Sequence, residues 1–230
     1  MIRKLFVSTM LVAGSLAALP AQAVSTLAYW DTLGQPGNQA TSPGAGSANV
    51  TASSIARGPG LTASGATNSF AASGWNAGEY FSLGFTVGSG YQVSLASLYI
   101  GTRSSNTGPG TMGLYYSGNG YSTALATFNQ APGSNFVNTI VDLSALTNLV
   151  GTVEFRIGMI AGAAANGGAV AGTGTFRVGG YFENGVFERD LQFTGTTEEI
   201  GGAVVPLPAA AWLMLAGLGA ITTTARRRKG

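Results

Sequence analysis

The side chains that could do chemistry in this chain are carboxylates, because the sequence contains neither cysteine nor histidine. Ser-His-Asp and Cys-His catalysis, disulfides and the usual zinc sites are therefore excluded. Paired acids for glycoside hydrolysis, or oxygen ligands for calcium, remain open. The candidate acids are Asp31, Glu79, Asp142, Glu154, Glu183, Glu188 and Asp190. None lies in a recognisable acid motif or calcium loop, so we expect solvated or arginine-paired acids, without catalysis, metal or cofactor.

Arginines and large aromatic residues are the candidates for binding. For four arginines we expect ordinary cross-strand pairing, and a carboxylate- or sulfate-binding cleft formed with the nearby acids is the alternative: Arg103, Arg156, Arg177 and Arg189. Rings with a polar edge suit the faces of sugars. The ring candidates are Trp30, Trp75, Tyr115, Tyr116 and Tyr121. We expect Trp75, Tyr115 and Tyr116 to contact carbohydrate if these rings are exposed, whereas their burial would favour a structural protein.

Short alternating runs must position these residues. Apolar and polar residues alternate over 81–87 and over 153–159, which is the period of a half-buried strand. Residues 187–193 share a similar pattern. The parity changes within 91–101, and a β-bulge near Ala96-Ser97 would restore one inward face. Further strands are predicted at 26–30, 49–55, 112–116, 123–128, 136–143 and 174–178.

Turn signals separate these runs, and no run has the apolar stripe of an amphipathic helix. Asn-Gly and Pro-Gly steps, such as Gly118-Asn119-Gly120, are typical of loop tips. The pattern predicts an all-β protein, an antiparallel β-sandwich of jelly-roll type, with a closed barrel as the alternative. We expect the sandwich domain over 24–193 and a polar tether over 194–203.

The net charge of +2 misrepresents this domain, because six of the eleven basic residues lie near the two ends of the chain. Between those ends there are five arginines and nine acids, a net charge of −4. A nucleic-acid partner needs a basic face that neutralises phosphates. We therefore expect no nucleic-acid partner.

The first 23 residues have the three parts of a secretory signal peptide. Arg3 and Lys4 precede an apolar stretch, and a small-x-small pair, Ala21 and Ala23, follows it. We expect cleavage after Ala23. The partners that this predicts are Sec-type export machinery and signal peptidase.

The last segment, 204–230, also has three parts. A proline box is followed by a run without charged side chains, Leu207 to Ala225, long enough to nearly span a bilayer as a transmembrane helix. A basic cluster then closes the chain, at Arg226, Arg227, Arg228 and Lys229. Such a cluster stays on the cytoplasmic side, so we expect the bulk of the chain across the membrane.

This three-part order resembles the VPLPA variant of the PEP-CTERM sorting signal of Gram-negative bacteria. The box reads Val205, Pro206, Leu207, Pro208 and Ala209. In that family an exosortase, a membrane-embedded cysteine transpeptidase-like enzyme, is thought to recognise the box and process the protein for the outer surface. The resemblance implies an exosortase and the membrane as partners, through an inner-membrane intermediate, and the cell surface or extracellular matrix as destination.

The order of segments in the central domain is similar to that of extracellular jelly-roll domains common in PEP-CTERM proteins. The similar segments are 50–61, 73–75, 79–87, 91–110 and 141–157. Those domains usually end in an FRxDN-like stretch, whereas Phe176-Arg177-Val178-Gly179-Gly180 lacks the acid. We expect an exported surface or matrix protein without catalysis, associated with exopolysaccharide. A carbohydrate-binding module is the alternative, and a carboxylate-dependent glycosidase is third.

Overall fold

A computed structural model of the chain describes residues 23–201, apart from residues 134, 161, 184 and 185. Within these residues one 3-10 turn, Ser117–Asn119, accompanies the strands, and there is no α-helix. The strands in chain order are β1 (Ser25–Trp30), β2 (Pro36–Gly37), β3 (Ala45–Gly46), β4 (Val50–Ala52), β5 (Ala56–Arg57), β6 (Thr62–Ala63), β7 (Ser69–Ser73), β8 (Tyr80–Val87), β9 (Tyr91–Ser104), β10 (Thr111–Tyr116), β11 (Ala126–Asn129), β12 (Val137–Asp142), β13 (Thr152–Met159), β14 (Phe176–Gly179), β15 (Tyr181–Glu183), β16 (Val186–Arg189) and β17 (Leu191–Glu199).

The strands form two large sheets and one hairpin. The nine-stranded sheet has the order β2-β7-β14-β9-β17-β1-β3, with β12 also on β9 and β6 on β7. The six-stranded sheet has the order β11-β10-β13-β8-β4, with β5 also on β8, and β15 pairs with β16. Among the described pairs only β2 and β7 are parallel. The prediction of an all-β, largely antiparallel protein is confirmed, and the described strands form separate sheets instead of a closed barrel.

The two large sheets face each other across one aromatic core. Phe193 of β17 lies 5.9 Å from Trp30 of its own sheet, between ring centroids. The same ring lies 5.8 Å from Phe85 and 4.7 Å from Phe155, which belong to the six-stranded sheet. All four rings are buried. Contacts of this kind between inner faces define a sandwich of two sheets.

The predicted alternation is confirmed in the central strands. Phe81, Leu83, Phe85 and Val87 are buried, as are Val153, Phe155 and Ile157. The predicted bulge is also present. Ser97 pairs with Thr194 and Leu95 with Gly195, so Ala96 is the extra residue, and the apolar residues on both sides of it turn to the core.

The predicted tether is wrong over Thr194–Glu199, because β17 runs from Leu191 to Glu199. Its pairing with β9 continues to the pair Glu199 and Tyr91. The three threonines of this run have the β-branched side chains that strands favour, and the long β9 provides a complete ladder. The sandwich therefore extends beyond residue 193. The predicted run 187–193 is divided, since β16 ends at Arg189 and β17 begins at Leu191.

The predictions for the two ends concern residues that lie almost entirely outside the described part. Of the signal peptide only Ala23 is described, and Ala21, the sorting box and the basic cluster are not. The predicted span from Leu207 to Ala225 also lies outside. Among residues 23–201, no helix has the length and apolar character that crossing a membrane requires.

Candidate functional site

An open cleft lies on the outer face of the six-stranded sheet. Because Phe81 and Phe155 point inward, their neighbours of opposite parity, Tyr80 and Arg156, point outward. The order β10-β13-β8 brings Tyr115 beside them, since Tyr115 pairs with Arg156 and Gly158 pairs with Tyr80. Three strands that are far apart in sequence thus present aromatic and charged side chains side by side.

Two glycines lie beside the Tyr115 ring, and one of them, Gly158, lines this tyrosine cleft. Gly113 and Gly158 are register partners on β10 and β13. A Cβ atom added at Gly113 would lie 2.9 Å from Cε2 of Tyr115, and one at Gly158 would lie 3.6 Å from the same atom. The Tyr115 ring therefore occupies space that any larger residue would take. The cleft has a volume of about 310 Å³, within the usual range for small-ligand sites, and its lining residues are Gly78, Glu79, Tyr80, Tyr115, Tyr121, Arg156, Gly158 and Met159.

A guanidinium holds two of the rings in place. Cζ of Arg156 lies 4.1 Å from the ring centroid of Tyr80 and 3.8 Å from that of Tyr121. Its Nε donates to Oε1 of Glu154 at 2.9 Å, and the Tyr121 hydroxyl donates to the same oxygen at 2.8 Å. Cation–π contact and a shared carboxylate acceptor fix these groups as one unit.

The pKa values of this unit follow from its contacts. Burial raises the pKa of Tyr121, and the hydrogen bond and charge of Glu154 raise it further against the opposing effect of Arg156. Burial acts to lower the pKa of Arg156, but the Glu154 hydrogen bond and the neighbouring tyrosines outweigh it, so that the pKa is raised. At neutral pH the arginine is charged and the tyrosine is protonated.

A tight turn places Tyr121 in the wall of the cleft. The 3-10 turn ends at Gly120 with φ of 66°, and Tyr121 follows with φ of 58°. A bulky residue at positive φ is strained by roughly 1–2 kcal/mol. Hydrogen bonds hold it there, because the Tyr121 N–H donates to the Tyr116 carbonyl at 3.0 Å, and the Glu154 N–H donates to Oγ of Ser117 at 3.1 Å.

One wall of the cleft contains an acceptor that lacks a partner. Oε2 of Glu79 is buried and accepts no hydrogen bond from any described residue. A buried carboxylate oxygen without a donor costs free energy.

The structure divides the aromatic residues that the sequence singled out. Trp75 is 2% exposed, with its Nε1 donating to the Ala72 carbonyl at 2.9 Å, so the prediction that it contacts carbohydrate is wrong. Its ring packs edge-on against Phe81 and Phe176 in the core. Trp30 is also buried. Tyr116 is half-buried and stacks on Phe155 on the inner side of β10, away from the cleft, and burial raises its pKa.

Tyr115 and Tyr121 do line the cleft, and sequence reasoning missed their companion Tyr80. Its position immediately before the alternating run 81–87, at the outward parity, was the available signal. Nothing in the sequence indicated that β8 and β10 flank the same strand.

Among the candidate acids, Asp31 and Asp190 lie near each other outside the tyrosine cleft, and the acid that lines the cleft is Glu79. Glu79 lies in the cleft wall, whereas Glu154 is held by Arg156 and Tyr121. Asp142 is exposed, and hydrogen bonds from the Ser144 side chain and then from the Ser144 N–H, at 2.9 Å, lower the pKa of Asp142. Asp31 accepts from the Leu33 N–H. Burial raises the pKa of Asp190, and the charge of Asp31 adds to this. Glu183 and Glu188 belong to the β15–β16 hairpin. Within the described part of the chain, no cluster of three or more acids could hold a metal ion.

The four candidate arginines likewise separate. Arg156 belongs to the tyrosine cleft, and Arg189 is exposed with its Cζ 4.6 Å from the ring centroid of Tyr99. Arg103 and Arg177 are register partners on β9 and β14 of the other sheet. A fifth arginine, Arg57, has a structural role, because it donates to the carbonyls of Gly37, Gln39 and Ala71.

Fold and cleft together describe a two-sheet β-protein with an aromatic cleft on one outer face. No family model and no curated protein matches the chain. Among solved structures, a family 29 carbohydrate-binding module is similar, with TM-score 0.37, 12% identity, and coverage of 75% of this chain and 90% of that one.

Two further structures are of the same kind. A variant family 29 module in complex with mannohexaose has TM-score 0.37 and 10% identity, over 81% of this chain and 100% of that one. A family 36 module in complex with calcium and xylotriose has TM-score 0.30 and 15% identity, over 63% and 98%. TM-scores below 0.5 do not establish a common fold, so these similarities assign neither a fold family nor a ligand to this chain.

Proposed function

We propose that this protein binds a saccharide in the tyrosine cleft and has no catalytic activity of its own. The observation that carries the proposal is the convergence of Tyr80, Tyr115 and Tyr121 on one open cleft with a stacked guanidinium. Tyrosine rings combine an apolar face with a polar edge, which matches the apolar faces and hydroxyl rims of pyranose rings.

Rigidity of the cleft favours binding. Arg156 lies between two of the rings, and Glu154 accepts hydrogen bonds from both the arginine and Tyr121. Side chains that are already ordered lose little conformational entropy when a ligand arrives.

The same contacts favour binding over hydrolysis. A glycosidase needs two carboxyl groups that face the scissile bond, one of which donates a proton. Oε1 of Glu154 already accepts two hydrogen bonds, from Tyr121 and Arg156. We therefore assign Glu154 to holding the tyrosine cleft together.

The place of action that we propose is the cell surface or extracellular matrix, with exopolysaccharide as the ligand. This rests on the signal-peptide pattern and on the three-part C-terminal segment from Val205 to Lys229. We also propose that the strands are connected in the order of a jelly roll. Mass spectrometry of the protein recovered from its source would test the proposed export to the cell surface. Intact residues 1–230 in the cytosol would contradict it, and an N-terminus at Val24 would support it.

Affinity electrophoresis of the purified protein through gels that contain neutral polysaccharides tests the binding function. Galactomannan, xylan and β-glucan cover different linkages. We expect at least one to retard the protein, and Tyr115→Ala to weaken that retardation roughly 10- to 30-fold, as for a central aromatic contact. Tyr29→Ala is the matched control, because Tyr29 is 38% exposed on β1, away from the cleft. Equal behaviour of the two variants, or no retardation by any neutral polymer, would contradict the proposal.

A further inference from the structure

A second pocket lies on the other large sheet, and its chemistry differs from that of the tyrosine cleft. Arg103 of β9 and Arg177 of β14 stand directly opposite each other, both half-buried. Phe176 and Val178 point into the core, so the intervening Arg177 and its partner point outward. The pocket, about 190 Å³ in volume, is lined by Ser64, Gly65, Ala66, Arg103, Ser104, Ser105, Thr175 and Arg177.

No described carboxylate neutralises this arginine pair. Among the residues that the structure describes, the one salt bridge joins Arg156 and Glu154 on the opposite sheet. Like charges directly opposite each other on neighbouring strands repel, and the common arrangement pairs opposite charges there. The domain has nine acids for five arginines, so a scarcity of acids does not explain the arrangement. Burial also lowers the pKa of Arg103, although an arginine stays protonated at neutral pH.

The rest of the pocket provides hydroxyl groups. Oγ of Ser105 accepts from the Thr175 N–H at 2.9 Å, which leaves the Ser105 proton available to a further acceptor. Ser104 donates to the Thr175 carbonyl at 3.2 Å and so fixes the edge of β14 beside the arginines. The volume is several times the roughly 30 Å³ of a water molecule, which is ample for one small anionic group.

We propose that this arginine pocket binds an oxyanion, the carboxylate or sulfate group of an acidic polysaccharide. Two guanidiniums offer planar forks of N–H donors, and each fork matches a pair of oxygens on such a group. The anion supplies the negative charge that the described residues lack. This site is independent of the tyrosine cleft, so either proposal can fail while the other stands.

Affinity electrophoresis in three gels tests the inference with the purified protein. Alginate carries carboxylates, dextran sulfate carries sulfates, and plain dextran is the neutral reference. We expect retardation in at least one anionic gel, and the choice of gel identifies the group. Arg103→Gln and Arg177→Gln should each weaken it about tenfold, as expected for loss of a charge-assisted contact. The retardation should also fall as salt is raised.

Arg189→Gln is the matched control, because it makes the same change of charge in the β15–β16 hairpin, outside the pocket. It should alter retardation less than twofold. Equal losses for all three variants would show nonspecific attraction and overturn the proposal, as would the absence of retardation in both anionic gels. Failure to fold is not expected, since Arg103→Gln and Arg177→Gln each remove one of two like charges and Arg189 is exposed, and thermal unfolding checks this. Binding of a neutral polysaccharide through the tyrosine cleft should be the same in all three variants.

Discussion

The two outer faces of the sandwich place arginine in opposite circumstances. On the six-stranded sheet Arg156 lies between the rings of Tyr80 and Tyr121 and is paired with Glu154. On the nine-stranded sheet Arg103 faces Arg177, with no described carboxylate beside either. The first guanidinium is satisfied by the protein and acts as a support for rings. The second pair has no described carboxylate partner, although Cζ of Arg177 lies 5.1 Å from the ring centroid of Phe136, and such a pair is suited to receive an anion from outside.

The role of a charged residue therefore depends on the groups that surround it. A guanidinium between two rings and beside an acid is ordered before any ligand arrives. Two guanidiniums in register cost free energy until an anion joins them. One residue type therefore serves as scaffold on one face and as recognition group on the other.

The largest expected effect comes from the core that both faces share. Phe193→Ala removes the ring that contacts Trp30, Phe85 and Phe155. We expect the free energy of unfolding to fall by about 3–5 kcal/mol, the usual cost of removing a buried phenylalanine ring. Urea denaturation measures it, and both binding activities should be lost together as the protein unfolds. Loss of one activity alone would show that the faces do not depend on a common core.

An intermediate effect separates the two faces. Arg156→Gln removes two cation–π contacts and one salt bridge whose side chains are about one-third exposed. We expect the free energy of unfolding to fall by roughly 1–2 kcal/mol and the saccharide affinity to fall with it. Arg103→Gln should leave stability unchanged or raise it slightly at low salt, because it relieves repulsion. The same sign for both variants in urea denaturation would remove the distinction between the faces.

The smallest expected effect concerns two like negative charges, Asp31, which follows β1, and Asp190, which precedes β17. Burial, and then the charge of Asp31, raise the pKa of Asp190. The folded state thus binds the proton more tightly than the unfolded state, and ionisation destabilises the fold. Asp190→Asn should raise the free energy of unfolding at neutral pH by a few tenths of a kcal/mol after solvent screening.

That gain should shrink as the pH falls below the ordinary aspartate range, where wild-type Asp190 is protonated in both states. Urea denaturation of the two proteins at several pH values measures the difference. A gain that is independent of pH would show that charge is not its cause.

Local pattern predicted most of the strands, because alternation and bulges are properties of neighbouring residues. The inward faces of β8 and β13 and the bulge at Ala96 follow from parity alone. The tether at Thr194–Glu199 was predicted wrongly, since its threonines and acids look polar in isolation. Its strand conformation depends on pairing with β9, whose partner residues lie about a hundred positions earlier.

The cleft was only half predictable for the same reason. Tyr115 and Tyr121 were among the candidate rings, but their meeting with Tyr80 depends on the strand order β10-β13-β8. The predicted exposure of Trp75 failed because a large ring in a glycine-rich loop can turn inward. Here it packs against Phe81 and Phe176. The opposition of Arg103 and Arg177 depends on strand register, which residue spacing does not reveal.

Chemical-shift mapping by NMR shows most directly whether the tyrosine cleft binds a saccharide. A neutral oligosaccharide taken from the polymer that retards the protein best would be titrated into isotope-labelled protein. We predict that the largest shifts cluster on Tyr80, Tyr115, Tyr121, Arg156 and Gly158. Shifts confined to other surfaces, or no shifts at saturating oligosaccharide, would contradict the assignment of the tyrosine cleft as a saccharide-binding site.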